Sequence, residues 1–190
     1  MAENFEIIIS TKSLLSNKTL VDFIKKTNIQ IDSLKVIENW EYEHERYINP
    51  NNIEIINELI DQRKIVIFEC HSGITLCGAF ISKISDEEYE YSLWFSIKHL
   101  TELSTDKITT KNYHIYKTIV EYIKIYFNHD IMNFCAMGVE IYVSDLANLE
   151  DRIIHSNGVL RWIIPKKCKL DLNTYIEEVD NNFYLYSIYS

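Results

Sequence analysis

Residues 64–97 read KIVIFEC-HSG-ITLCGAFISKIS-DEE-YEYSLWFSI, three apolar, β-branched and aromatic runs broken by two very short connections. No other stretch constrains the fold as tightly. Strands joined this closely must pair antiparallel, because a parallel return needs a crossover of a dozen residues or more. Ser72 and Gly73 supply the first turn, since glycine tolerates the positive φ of a tight hairpin. Residues 86–88 supply the second. In the middle run Ile74, Leu76, Gly78 and Phe80 face one way, and Thr75, Cys77, Ala79 and Ile81 the other. In the third, Tyr89, Tyr91, Leu93, Phe95 and Ile97 oppose Glu90, Ser92, Trp94 and Ser96. Apolar groups on both faces predict a sheet covered on both sides.

The flanks read as alternating helices and strands. Residues 5–10 (FEIIIS) predict a strand, and Ser16 can cap a helix to about residue 28 with Leu20, Val21 and Ile24 on one side. From Trp40 to Arg46 aromatic and acidic residues alternate: Trp40, Tyr42 and His44 against Glu41, Glu43 and Glu45. That period suits a strand or an extended loop. Pro50 and Asn51 open a second helix, with Glu54 at capping-box spacing and Ile53, Ile56, Leu59 and Ile60 as its stripe. After the meander comes the polar stretch 98–111, then a helix over about 111–127 capped by Thr109 or Thr110, and a strand over 133–143. Ser144 can cap a helix bearing Leu146, Leu149 and Ile153, closed by Asn157-Gly158. A strand over 159–164 stops at Pro165, a short helix near 174–179 follows, and 183–188 is the last strand. With only 4 Gly and 2 Pro in 190 residues, long regular elements and few open loops are expected. The chain has no repeat and no compositional break, so a single domain over 1–190 is expected.

This order, β-α-α-βββ-α-β-α-β-β, predicts an α+β domain: one mixed, mostly antiparallel sheet flanked by helices. It resembles the GNAT superfamily of N-acetyltransferases across nearly the whole chain. Asn148 and Gly158 match that family's anchors before its last strands, with Val159 where the family has Phe. The resemblance implies an acyl-CoA cofactor, acetyl-CoA or another, and transfer of an acyl group to a small amine. It places the cofactor on backbone N–H groups of Phe95, Ser96 and Ile97 and on the turn Thr109, Thr110, Lys111 and Asn112. Glu90 would be the general base, and His155, near the position of the family's general-acid tyrosine, would protonate the leaving thiolate. The sequence departs from the family most seriously in the cofactor loop. The stretch 96–112 has no Gly, whereas the family wraps the pyrophosphate with a Gly-rich turn. Thr109–Asn112 equally suit a plain helix cap, and His155 an exposed position at a helix C-terminus.

Charge offers a second reading. The net charge of −9 argues against a nucleic-acid surface and fits a basic protein partner. Trp40 and Tyr42, interleaved with Glu41 and Glu43, could hold an amine by charge and cation–π contact, or dock a basic protein as an immunity- or antitoxin-type inhibitor does. No apolar run reaches the length of a membrane span, and MAENFEIIIS lacks the features of a signal peptide, so a cytoplasmic protein is expected. Cys70, Cys77, Cys135 and Cys168 then read as reduced thiols, and no ligand pairing predicts a metal.

Overall fold

A computed structural model describes residues 4–26, 29–49, 52–73, 75–99, 101–168, 170, 175–180 and 182–188. The strands are β1 (Asn4–Thr11), β2 (Gln30–Ile37), β3 (Arg46–Ile48), β4 (Ile65–Ser72), β5 (Thr75–Ser85), β6 (Glu88–Ser96), β7 (Met132–Tyr142), β8 (Asn157–Pro165), β9 (Ile176–Asp180) and β10 (Phe183–Ser187). The α-helices are α1 (Asn17–Lys26), α2 (Ile56–Asp61), α3 (Tyr113–Tyr126) and α4 (Leu149–Ile154).

All ten strands form one sheet in the order β3-β2-β4-β5-β6-β1-β7-β8-β10-β9, and every pairing in it is antiparallel. This corrects the expected fold class. The sheet is not mixed, the α-helices among the described residues are four short segments, and the GNAT-like arrangement is not what forms. The decisive element is β1. Its residues Phe5–Ser10 pair with Phe95–Glu90 of β6 on one side and with Val139–Phe134 of β7 on the other. The meander and β7 are therefore separated by a full strand. The physical reason lies in β1 itself. Phe5, Ile7 and Ile9 are fully or almost fully buried on one face, and Ile8 packs into the second cluster on the other. A strand buried on both faces, with Ile8 and Ser10 covered opposite Phe5, Ile7 and Ile9, belongs in the middle of a sheet, not at its edge.

The larger core joins Phe5, Ile7 and Ile9 to Leu20 and Phe23 of α1, Leu59 and Ile60 of α2, and Tyr116, Val120 and Ile123 of α3. A smaller core on the opposite face joins Phe134, Ala136, Trp162, Ile164 and Tyr186 to Ile153 of α4. The three-stranded meander stands where its sequence placed it, with Gly73 at φ +60 in the first turn. Ser16 does cap α1, accepting from the Thr19 N–H at 3.1 Å.

Other local expectations change. β2 was missed because its apolar set, Leu34, Val36 and Ile37, is short and follows a bulge between Ile31 and Ser33. The alternating stretch around Trp40 is neither strand nor extended loop but a run of turns over residues 38–45 that joins β2 to β3. The expected cap of the second helix, Pro50 with Asn51, lies outside the described residues, but Ile56, Leu59 and Ile60 are buried as its stripe requires. Asn148, not Ser144, caps α4, its side chain accepting from the Glu150 and Asp151 N–H groups. Gly158 does not end a helix. At φ +73 it forms an irregularity in β8, where Gly138 of β7 comes so close that a Cβ there would sit 2.1 Å from the Gly158 carbonyl oxygen. The helix expected near 174–179 is the edge strand β9, paired to β10 from Asp180 to Ile176.

Candidate functional site

Glu90 lies mid-strand on β6, opposite Ser82 of β5 and Ser10 of β1, with Phe134 of β7 next in the same row. Directly opposed residues share a face, so the row Ser82–Glu90–Ser10–Phe134 runs across four strands on the side that carries α4. Ser10 and Ser82 are both buried, and the Ser82 hydroxyl has no hydrogen-bond partner. Burial, then the neighbouring Glu88 carboxylate, raise the Glu90 carboxyl to about 7, against a smaller opposing pull from Arg152. Glu90 is thus half protonated near neutrality, the condition a general acid or base needs.

Glu88 is held in a network beside it. Ser10 Oγ donates to Glu88 Oε1 at 2.7 Å, Arg152 Nη1 donates to the same oxygen at 2.7 Å, and Asn133 Nδ2 donates to Ser10 Oγ at 3.1 Å. Arg152 is pinned further. Its Nε donates to the Leu146 carbonyl at 2.8 Å, and its guanidinium lies 5.3 Å from the centre of the Phe134 ring. The network is the inner wall of a cleft of about 900 Å³ between the β5–β6 turn, the start of β7, α4 and residues 167–168.

His155 is elsewhere. It is the exposed C-terminal cap of α4, with Nδ1 2.8 Å from the Asp151 carbonyl oxygen. A carbonyl only accepts, so Nδ1 carries the proton and Nε2 faces outward. No contact among the described residues links His155 to Glu90.

The seven residues expected to hold the cofactor divide between two environments. Ile97 is buried, and Phe95 lines an apolar cavity of about 220 Å³ with Phe5, Leu103, Ile115, Ile119 and Ile123. Ser96 ends β6, opposite Asn4. Thr110 and Lys111 are exposed at the start of α3. Asn112 is fully buried and ties the glycine-free loop together: Nδ2 donates to Glu102 O, Thr105 Oγ1 and Lys107 O, and Oδ1 accepts from the Thr109 N–H at 2.7 Å. Ile108 then stitches this loop to the last strand through the Ile188 carbonyl. The N-cap of α3 is Asn112, not Thr109 or Thr110, and its side chain makes no capping bond to the helix.

Trp40, Glu41, Tyr42 and Glu43 stand together on the β2–β3 turn. Asn39 organises it, Oδ1 accepting from the N–H groups of Glu41 at 3.0 Å and Glu43 at 3.4 Å while Nδ2 donates to Glu43 Oε2. Tyr42 and His44 take φ of 59 and 52, a region that side chains with a Cβ rarely adopt. At the base of the turn Glu38 is held below the usual carboxylate range by His44 at 2.7 Å and Lys64 at 3.1 Å. Trp40 rests edge-on against Phe80, their centroids 4.8 Å apart, yet is 53% exposed; Tyr42 is 55% and Tyr47 67% exposed. Sequence reasoning found Trp40 and Tyr42 but not Tyr47, whose place on β3 depended on locating β2. Lys12 and Lys167, which line the cleft near Glu88, were also not singled out.

Among the described residues no group of three or more His, Cys, Asp or Glu is placed to hold a metal ion, and no helix is long and apolar enough to cross a membrane. The chain matches no family model, no curated protein and no solved structure. Fold and site together define an antiparallel β-sheet protein with an aromatic, acidic turn at one end and a polar cleft on the α4 face.

Proposed function

We propose that this is a binding protein that docks a basic protein partner through the β2–β3 turn. The observation that carries this reading is the turn's conformation. Tyr42 sits at φ 59, a strained setting of the order of 1–3 kcal/mol, in a turn locked by Asn39 that leaves the Trp40 and Tyr42 rings in water. The turn's internal bonds hold its shape, while the exposed halves of the Trp40 and Tyr42 rings are left for contacts on another molecule. Aromatic anchors rimmed by Glu41, Glu43 and Glu45 suit a cationic surface carrying Arg and Lys.

The test uses arrays of Arg- and Lys-rich peptides and purified basic proteins, probed with the wild-type chain and with Trp40→Ala and Tyr42→Gly. Specific binding is expected to weaken at least tenfold in either variant and to fall steeply with salt. Tyr42→Gly is expected to be slightly more stable than wild type, which separates lost binding from lost folding. Binding to cationic probes that ignores both substitutions overturns the reading.

Glu90 favours a second reading, acyl transfer from an acyl-CoA to an amine with Glu90 as base, because its carboxyl titrates near neutrality. Acetyl-CoA at one hundred times its dissociation constant would then add about 2.7 kcal/mol of stability, readable by thermal shift. No shift with any of several acyl-CoAs discards it.

A further inference from the structure

We propose that the cleft on the α4 face binds a small zwitterion, its oxyanion between Lys12 and Lys167 and its ammonium against Glu87 and Asp145. The cleft is separate from the β2–β3 turn, and the proposal does not depend on the docking reading.

Lys12, just past the end of β1, and Lys167, just past the end of β8, both line the cleft. Lys12 is the first cause of a lowered Lys167 ammonium, with burial second. Like charges do not gather without a reason. Among the described residues neither lysine is in an ion pair. Asp130 and the Cys168 side chain act on Lys167 only as weaker, opposing influences. An oxyanion placed between two ammonium groups offsets the repulsion and accepts a charge-assisted hydrogen bond from each.

The other lip is acidic. Asp86, Glu87, Glu88 and Asp145 all line the cleft. Two of these are already matched: Asp86 to Arg63 at 2.8 Å and Glu88 to Arg152 at 2.7 Å. Glu87 and Asp145 are in no ion pair among the described residues. The lining of the cleft thus carries two lysines and two carboxylates that are in no ion pair among the described residues. A simple anion would complement only half of this field, and a simple amine only the other half. Phe134, Ala147 and Leu149 supply apolar floor between the two ends. At about 900 Å³ the space admits a small molecule with one group of each sign. Arg152, held by Glu88, the Leu146 carbonyl and the Phe134 ring, serves as fixed wall rather than as a mobile ligand.

The source of the oxyanion is separable by experiment. Binding is measured by calorimetry for phosphoethanolamine and β-alanine, with inorganic phosphate, acetate and ethanolamine as single-charge probes. One of the two zwitterions is expected to bind at least tenfold more tightly than any single-charge probe, phosphoethanolamine leading if the site takes phosphate and β-alanine if it takes carboxylate. Lys12→Met and Lys167→Met, both at exposed positions, are each expected to weaken that binding at least tenfold, and Glu87→Gln with Asp145→Asn to remove the advantage over the single-charge anion. Circular dichroism confirms that each variant is folded. The proposal is overturned if inorganic phosphate or acetate binds as tightly as the zwitterion, if the lysine variants bind as wild type does, or if no probe binds.

Discussion

Replacing Glu90 by Gln isolates the energetic effect of burying this carboxyl. The group moves from an ordinary value of 4.5 to about 7, mainly through burial and secondarily through Glu88. At about 1.4 kcal/mol for each tenfold change in proton affinity, the charged form is disfavoured by about 3 kcal/mol in the folded chain. Because the folded value lies above the unfolded one, the folded chain holds more protons between the two. Stability therefore falls as pH rises from 4.5 through about 7, and above that window the loss is complete. Glutamine is neutral throughout and carries no such slope. In a chain of this size 1 kcal/mol moves the melting temperature by about 2–4 °C. The melting temperature of Glu90→Gln minus that of wild type is thus expected to be near zero at pH 4 and to grow to about 6–12 °C by pH 8. Glu6, whose carboxyl is also raised by burial, is present in both proteins and cancels in the difference. Differential scanning calorimetry across pH reads the quantity directly. A difference that stays constant with pH refutes the placement of an ionisable, desolvated Glu90 in this row.

Two further substitutions test other parts of the structure. Asn148→Ala removes both side-chain bonds that cap α4 and is expected to cost about 1 kcal/mol in urea unfolding, while Ser144→Ala, at the residue first expected to be the cap, costs less. Arg161 is 1% exposed on β8 and donates to Glu178 of β9 at 2.9 Å, so Glu178→Ala leaves a buried cation unpaired. The loss is expected near the lower end of about 3–5 kcal/mol, since Glu178 itself is one-third exposed, and an Arg161→Met, Glu178→Leu double variant recovers most of it.

Local patterning and long-range pairing were not equally legible. The meander could be read from alternation and from Gly73, because hairpin register is fixed within a few residues. The position of β1 could not, because Phe5–Ser10 carries the same local signal whether it lies at an edge or between β6 and β7. The alternation from Trp40 to Glu45 misled for a different reason. Period-2 chemistry normally marks one buried face, but here both sets of side chains are exposed, and Asn39 bends the backbone where the pattern implied an extended run. Tyr175 to Val179 read as helical, yet an edge strand needs only one partner, and β10 supplies it. At the site, Glu90 was singled out only through the family resemblance, on the third meander strand. Its environment was not legible, since Ser10, Phe134 and Arg152 come from three other segments. The pairing of Lys12 with Lys167 was out of reach of any sequence window.

The central position of β1 also sets the order in which the chain can assemble. On the ribosome β1 emerges before either neighbour exists, and its partners arrive only after Ser10 is separated from Glu88 by 78 residues and Asn4 from Glu140 by 136. The β4–β5–β6 meander can zip locally long before then. Until β7 is made, β1 presents an open edge even once it has paired with β6, and Phe5, Ile7 and Ile9 have no finished core to enter. A sheet closed by its earliest strand is slow to complete and open to pairing with another nascent chain while it waits, so its yield in the cell should depend on translation rate and chaperone supply more than on final stability.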